Sequence, residues 1–207
     1  MRLSNILSKL LLLCLSLGIV GILVATFAFV TAYPQLPPVN ALTDYKPKLP
    51  LRIYSREGIL IGEFGQEHRE FISIDSVPGL LKNAIIAAED EHFLEHHGID
   101  FYGIGRAAIA NLSARGARQG ASTITMQVAR NFFLSSEKTF TRKFNEALLA
   151  IKIERNLTKD QILELYINQI YLGQRAFGFA AASKVYFGKP LSQASLAEIS
   201  MLAGLPK

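Results

Sequence analysis

An uncharged apolar run over residues 10–30 constrains this chain more than any other feature of its sequence. The run holds 21 residues dominated by Leu, Ile, Val, Phe and Ala, and no charged side chain returns until Asp44. As a helix, such a run spans about 30 Å, the thickness of the hydrocarbon core of a bilayer. Because Arg2 and Lys9 precede it, we expect the N-terminus in the cytoplasm and everything after the run outside.

A cleaved signal peptide is the alternative to a retained anchor, since residues 30–32 (VTA) are similar to a cleavage site. The run is long for the apolar region of a signal peptide, which favours the anchor. Five prolines in residues 33–50 exclude a regular helix there and favour an extended spacer. We therefore divide the chain into a cytoplasmic tail (1–9), a transmembrane anchor (10–32), a proline-rich stalk (33–50) and a globular domain (51–207).

The composition excludes several classes of protein. The chain has 207 residues, half of them hydrophobic, and a net charge of +5, which suits one well-cored domain with a short appendage. Its cations are scattered without an RNA-binding or helix-turn-helix signature, so no nucleic-acid partner is expected. The single cysteine, Cys14, excludes a disulfide framework and a cysteine-based metal site within one chain.

Hydrophobic periodicity predicts a mainly α domain with a small β element at its start. Alternating apolar residues on both sides of residues 55–58 predict a β-hairpin, and residues 70–74 read as a third short strand. Glycines and capping boxes then mark helix ends, with the boxes at Thr158/Gln161 and Ser195/Glu198. The second helix is expected to bury a stripe of Ile104, Ala107, Ala108 and Leu112. The predicted helices cover residues 78–96, 100–112, 122–133, 141–156, 159–172, 176–187 and 196–204.

Residues 84–98 (AIIAAEDEHFLEHHG) carry the strongest chemical signal. In helical register Glu89 continues the apolar line of Leu81 and Ile85, and burial there would raise its pKa into the range of a general base or acid. The alternative is a solvated acidic helix end capped by Gly98. His92 and His96 are four residues apart, but the residue order of a zinc protease and a third ligand are missing, so no metal site is predicted.

Three further clusters are open to two interpretations. Ser122 and its neighbouring hydroxyls are either an anion site at a helix start or an ordinary N-cap. The pair of Arg142 and Lys143 near Glu146 is either a phosphate clamp or a routine surface pair. Glu164 and Asn168 share one face of a helix, where they either support a site or face water.

Five stretches, in order along the chain, decide between these interpretations. They read EDxxFxxHxG at 89–98, GxSTITxQ at 120–127, RKxxE at 142–146, KxxILExYxN at 159–168, and a run over 178–189 that ends in YFGK. With these motifs residues 50–207 resemble glycosyltransferase family 51, the peptidoglycan polymerase module of class A penicillin-binding proteins. The anchor, the stalk and the spelling LGQRAFGFAAASKVYFGK are most similar to the type 1a branch.

The resemblance implies a lysozyme-like helical fold that polymerises lipid II with inversion, forming β-1,4 bonds and releasing undecaprenyl pyrophosphate. It implies that Glu89 is the general base and that Glu146 is a second essential acid that assists or organises the leaving group. Four cations match positions around the departing pyrophosphate: Arg130, Lys138, Arg142 and Lys143. The other motif positions, which bind substrate or shape the site, are Asp90, Phe93, His96, Gly98, Gly120, Ser122, Thr123, Gln127, Glu164 and Asn168.

The same resemblance implies the setting of the reaction. It leaves room for a divalent cation (Mg²⁺ or Mn²⁺) beside the pyrophosphate and implies no organic cofactor. The implied partners are lipid II, the lipid-linked growing glycan, membrane lipids and other cell-wall synthesis proteins. The implied location is the bacterial inner membrane, with the catalytic domain on its periplasmic side.

One departure from the family pattern, the position of the last residue and two competing functions stand beside this interpretation. Met126 occupies a position where the family usually has a glutamine, and the chain ends at a point that the family places mid-domain or before a linker, which leaves 51–207 open to truncation. A lytic transglycosylase on the same scaffold needs no pyrophosphate clamp, so the Arg142-Lys143 pair disfavours it. A non-catalytic lipid II-binding scaffold would not need both Glu89 and Glu146.

Overall fold

The computed structural model describes residues 2–39, 42, 51–113, 120–134 and 139–206. The chain forms two compact units, residues 1–37 and residues 38–207. Most of the predicted stalk (40, 41 and 43–50), the tip of the loop before the second motif (114–119) and residues 135–138 lie outside the described part.

The first unit is one long helix, α1 (Arg2–Ala32), followed by a single 3₁₀ turn at Tyr33–Gln35. Residues Leu11–Gln35 are long and apolar enough to cross a membrane. The hydroxyls of Ser16, Thr26 and Thr31 donate hydrogen bonds to carbonyls three or four residues back, so these polar groups are satisfied within the helix.

The second unit opens with the predicted hairpin, formed by β1 (Leu51–Tyr54) and β2 (Leu60–Phe64) in antiparallel pairing. The third strand predicted at residues 70–74 is wrong. The strand is β3 (His68–Arg69), and it pairs in parallel with β4 (Ala176–Phe177) far along the chain. Long-range contacts decide this pairing, because the Arg69 guanidinium lies 4.3 Å from the centre of the Phe177 ring.

Helices make up most of the second unit, which confirms the mainly α prediction. Their order is α2 (Gly79–Glu89), α3 (Phe101–Ser113), α4 (Ile124–Phe133), α5 (Phe140–Glu154), α6 (Lys159–Gln169), α7 (Phe179–Phe187) and α8 (Leu196–Ala203). Both predicted capping boxes are present, at the starts of α6 and α8. Gly188, directly after the helix end predicted at residue 187, ends α7 in the left-handed conformation.

The core is built around α4. Residues 124–129 of this helix are all buried, and α4 packs against α5 and α6. α2, the helix that ends at Glu89, packs against α8, which comes more than 100 residues later in the sequence.

The opening helix stops seven residues before the end predicted at His96. It ends at Glu89, and residues 91–95 form turns. Asp90 leaves the helical conformation (φ −162°) because its carboxylate bonds to groups outside the helix, described below. Gly98 is therefore no C-cap, and His92 and His96 share no helix face.

Gly98 is required for a different reason. Its φ is +94°, and a Cβ at this position would lie 2.9 Å from the carbonyl carbon and oxygen of Ala150. The loop from residue 90 to residue 98 therefore lies directly on the backbone of α5, and a larger residue at position 98 would push it away.

Two more helix predictions are wrong in detail. α6 ends at Gln169 rather than at residue 172, and residues 176–177 are strand because they pair with β3. The predicted buried stripe of α3 is mostly uncovered. Ala107 is buried, but Ile104 is 41% and Leu112 is 81% exposed within the described part of the chain.

Candidate active site

Glu89 occupies the last position of α2, above the fully buried side chains of Leu81 and Ile85, as the helical register predicts. Gln127 of α4 donates a hydrogen bond from Nε2 to Glu89 Oε2 at 2.7 Å. Burial raises the pKa of Glu89 above its ordinary value, and the charge of Asp90 adds to the rise. The Gln127 hydrogen bond and the positive charge of Arg130 oppose it.

Glu89 opens into a cleft of about 550 Å³ between the end of α2, the start of α3 and the start of α4. Ser122 and Thr123 stand at the α4 side, where Thr123 caps the helix by accepting a hydrogen bond from the Met126 backbone N–H. Seven of the predicted site residues line this cleft: Glu89, Asp90, Gly120, Ser122, Thr123, Gln127 and Arg130.

The predicted basic cluster adjoins the cleft through Ser122. Lys143 Nζ donates to Ser122 Oγ at 2.6 Å and to Glu146 Oε2 at 3.0 Å. Arg142 Nε lies 3.5 Å from Glu146 Oε1, and the Glu146 side chain is only 1% exposed. The cluster is thus a carboxylate held between two cations on one face of α5. Lys138, the fourth predicted cation, lies outside the described residues.

Four motif residues form a network behind the cleft. The backbone N–H of Gly98 donates to His96 Nδ1 at 3.1 Å, so the other ring nitrogen carries the proton. His96 Nε2 then donates to Asp90, 2.9 Å from Oδ1, while Asp90 Oδ2 accepts the Ile124 backbone N–H at 2.9 Å. Phe93 is fully buried beside this network.

Glu164 and Asn168, the last two predicted residues, bond to backbone away from the cleft. Glu164 Oε2 accepts the Ile74 N–H at 2.7 Å. Asn168 bonds to both the N–H and the carbonyl of Ile72, at 2.8 and 2.9 Å. Both side chains border a separate cavity of about 250 Å³.

Three further charged residues line the cleft without having stood out in the sequence: Arg106, Asp100 and Glu91. Arg106 NH1 lies 3.1 Å from Glu91 Oε2. Arg106 is the one charged residue in the sequence of α3, a signal that could have marked it. Burial would raise the pKa of Asp100, but hydrogen bonds from the Gly103 backbone and from His92 bring it below its ordinary value.

Met126, the departure from the family pattern, is buried outside the cleft wall. Its side chain is 4% exposed and is not part of the cleft wall, whereas Gln127 reaches Glu89. The amide that carries the contact to Glu89 is thus the one this chain retains.

The acids of the cleft do not combine into a metal site among the described residues. No three His, Cys, Asp or Glu side chains there form a metal-binding group. Asp90 is taken by His96 and the Ile124 N–H, and Glu91 by Arg106.

This geometry agrees with comparison to known proteins. A family model described as Transglycosylase matches residues 57–207, most of the chain. The chain belongs to the transglycosylase family. The resemblance to the transglycosylase module of class A penicillin-binding proteins is thereby confirmed.

Individual relatives of this transglycosylase point the same way. It is 58% identical over 191 residues to Penicillin-binding protein 1A of Neisseria flavescens, covering 92% of this chain and 24% of that protein. It is 56% identical over 195 residues to Penicillin-binding protein 1A of Neisseria cinerea, covering 94% and 24%. The corresponding protein of Pseudomonas aeruginosa is 49% identical over 195 residues, with the same coverage. The chain spans about a quarter of the length of these curated relatives.

Proposed function

We propose that this transglycosylase polymerises lipid II into β-1,4-linked glycan strands, with Glu89 as the general base. The observation that carries the proposal is the environment of Glu89. A half-buried carboxylate with a raised pKa ends an apolar helix, accepts a hydrogen bond from Gln127 and opens into a cleft. A carboxylate with a raised pKa is a stronger base, which suits it to take a proton from a sugar hydroxyl.

The proposed reaction is a single displacement. The 4-hydroxyl oxygen of an incoming lipid II attacks the anomeric carbon of the lipid-linked glycan, while Glu89 takes the hydroxyl proton. The bond from that carbon to the pyrophosphate oxygen breaks, and the electron pair leaves with undecaprenyl pyrophosphate. Attack opposite the leaving group converts an α linkage into a β linkage.

The basic cluster suits the leaving group. Lys143 reaches the cleft wall through Ser122, and the buried Nε of Arg142 has no hydrogen-bond acceptor among the described residues. Positive charge fixed in advance where negative charge develops lowers the barrier without reorganisation. We assign Glu146 to organising these two cations, because both lie within 3.5 Å of its carboxylate.

The other motif residues take supporting roles in this proposal. Asp90, Phe93, His96 and Gly98 shape the loop after Glu89, and Glu164 and Asn168 hold residues 72–74 against α6. Arg130 supplies a further cation at the cleft. A divalent cation beside the pyrophosphate stays a proposal, and the mechanism uses no metal step.

Membrane attachment fits a substrate that cannot leave the bilayer. We propose that α1 is a retained anchor with its N-terminus in the cytoplasm and the catalytic unit on the periplasmic side of the inner membrane. The proposed partners are lipid II, the growing lipid-linked glycan, membrane lipids and other cell-wall synthesis proteins.

The test is to give the purified full chain lipid II in detergent and to separate the products by size. The proposal is supported if the reaction releases undecaprenyl pyrophosphate and yields glycan chains that lysozyme then digests. Cleavage of preformed glycan without polymerisation would support a lytic transglycosylase instead. Lipid II binding with neither reaction would support a non-catalytic scaffold.

A further inference from the structure

Lys159, the first residue of α6, joins the loop after Glu89 to the helices behind it. Its Nζ donates to the His96 carbonyl oxygen and to Glu154 Oε1, both at 2.7 Å. The same nitrogen lies 4.5 Å from the centre of the Phe93 ring. The ammonium is thereby enclosed by a carbonyl, a carboxylate and an aromatic face, and its residue is not part of the cleft wall.

Glu154, the last residue of α5, completes the connection. Its Oε1 also accepts a hydrogen bond from Thr125 Oγ1 at 2.6 Å, and its side chain is only 5% exposed. Thr125 is fully buried on α4. One carboxylate oxygen therefore links α4, α5, α6 and, through Lys159, the loop over residues 90–98.

The front of the same loop rests on α4 as well. Asp90 accepts the Ile124 N–H, and Thr123 Oγ1 donates to the Gly98 carbonyl at 2.7 Å. Gln127, one turn further along α4, bonds to Glu89. Thr123 and Gln127 thus contact the two ends of the segment from Glu89 to Gly98. Thr125, between them on α4, reaches the His96 carbonyl through Glu154 and Lys159.

A buried ion pair is weak evidence for stability, because apolar side chains of similar volume often serve as well. What a buried ion pair does provide is fixed geometry, because each charge holds the other, and the groups hydrogen-bonded to both, in a defined position. Here the group fixed on the loop side is the His96 carbonyl, in the segment that follows Glu89 directly.

We infer that Thr125, Glu154 and Lys159 form a positioning clip that holds the loop over residues 90–98 against α4 and so aims Glu89 into the cleft. The clip touches no substrate and acts through Glu89. The inference rests on the proposed function, since its kinetic consequence is defined for lipid II polymerisation.

The test compares the full chain with its Glu154→Gln/Lys159→Met variant. The double change removes both charges together, and the glutamine keeps an acceptor for Thr125. Glu70→Gln is the matched control, because it breaks an ion pair of the same length, 2.7 Å to Lys184, outside the cleft wall. Two measurements are made on each protein: steady-state lipid II polymerisation, and amide hydrogen exchange.

We expect the double variant to lose about tenfold or more in kcat while KM changes by less than about threefold. Exchange should rise at the hydrogen-bonded amides of Phe93, Glu95, His96 and Gly98 and stay unchanged in α8. The control should change neither quantity.

Two results would overturn the clip: kcat within about twofold of the unmodified chain, or exchange that rises equally in the loop over residues 90–98 and in α8. If the unmodified chain does not polymerise lipid II at all, the proposed function is refuted instead. In that case the exchange experiment still decides, because a rise confined to the loop supports the clip and no rise overturns it.

Discussion

The pKa of Glu89 is set by effects that oppose one another. Burial at the end of an apolar helix disfavours its charge, whereas Gln127 and Arg130 favour it, and burial prevails. The Glu89 carboxylate is therefore a better proton acceptor than that of an exposed glutamate. The Gln127 hydrogen bond sets how far its pKa rises.

Removing that hydrogen bond should move the acid limb of the pH profile. A base must be deprotonated to act, so activity falls as the pH drops through the pKa of Glu89. In Gln127→Leu the carboxylate loses a stabilising donor, its pKa rises further, and the acid limb of kcat/KM shifts upward by about one pH unit. The measurement is initial rates of lipid II polymerisation across pH.

Gln193→Leu is the control for this shift, because Gln193 is an exposed glutamine outside the cleft. An acid limb that stays in place or moves to lower pH in Gln127→Leu would contradict the role of Gln127 in setting the pKa of Glu89.

For single residues, the sequence predicts those properties that the local helical register controls. The line through Leu81 and Ile85 was enough to expect a desolvated Glu89. The contact with Gln127 joins residues 38 positions apart and follows only from how α2 and α4 pack. The five-motif resemblance selected Gln127 without indicating which atom it touches.

Among the helices and strands, the sequence likewise predicts the ends that local residues set and misses those that distant contacts set. The capping boxes of α6 and α8 involve residues three apart, and the sequence predicts both. The end of α2 depends on Asp90 bonding to His96 and to the first turn of α4, so local pattern placed it seven residues too late. β3 and β4 are two residues each, too short for periodicity to reveal.

The capping box of α8 gives a stability prediction. Ser195 Oγ donates to Glu198 Oε2 at 2.8 Å and also accepts the Glu198 backbone N–H. Ser195→Ala removes these bonds and should lower the free energy of unfolding by about 1 kcal/mol, which is a fall in Tm of about 2–4 °C. Thermal unfolding of the full chain in detergent measures the change.

Ser192→Ala, at an exposed serine just before α8, should leave Tm unchanged. Because α8 supports α2 rather than touching the cleft, Ser195→Ala should keep its polymerase activity well below Tm. A loss of activity without a fall in Tm would contradict a purely structural role for the box.

The two units of the molecule differ in how much of their apolar surface is exposed. The side chains described from residue 11 to residue 24 of α1 are exposed and almost all apolar. The second unit has its own buried core around α4 and also exposes Phe101, Tyr102, Ile109 and Leu112 on α3. Apolar surface of this extent is the reason for placing membrane lipids among the proposed partners.

The proposed topology can be tested with the chain's own cysteine content. Cys14 is the single cysteine, so Cys14→Ser provides a cysteine-free background. With Ser192→Cys added, an impermeant maleimide applied to intact spheroplasts should label the chain, because the proposed topology places residues 38–207 outside the cytoplasm. With Ser4→Cys instead, labelling should require lysis, and the reverse pattern would contradict the orientation.

The central claim is that Glu89 takes the proton of the acceptor hydroxyl, and Glu89→Gln tests it most directly. Glutamine keeps the size and the polar contact with Gln127 but cannot accept that proton. We predict a fall of about 10²–10⁴-fold in the rate of lipid II polymerisation, with lipid II affinity within about threefold of the unmodified chain. A Glu89→Gln chain that polymerises lipid II at the unmodified rate would contradict the account.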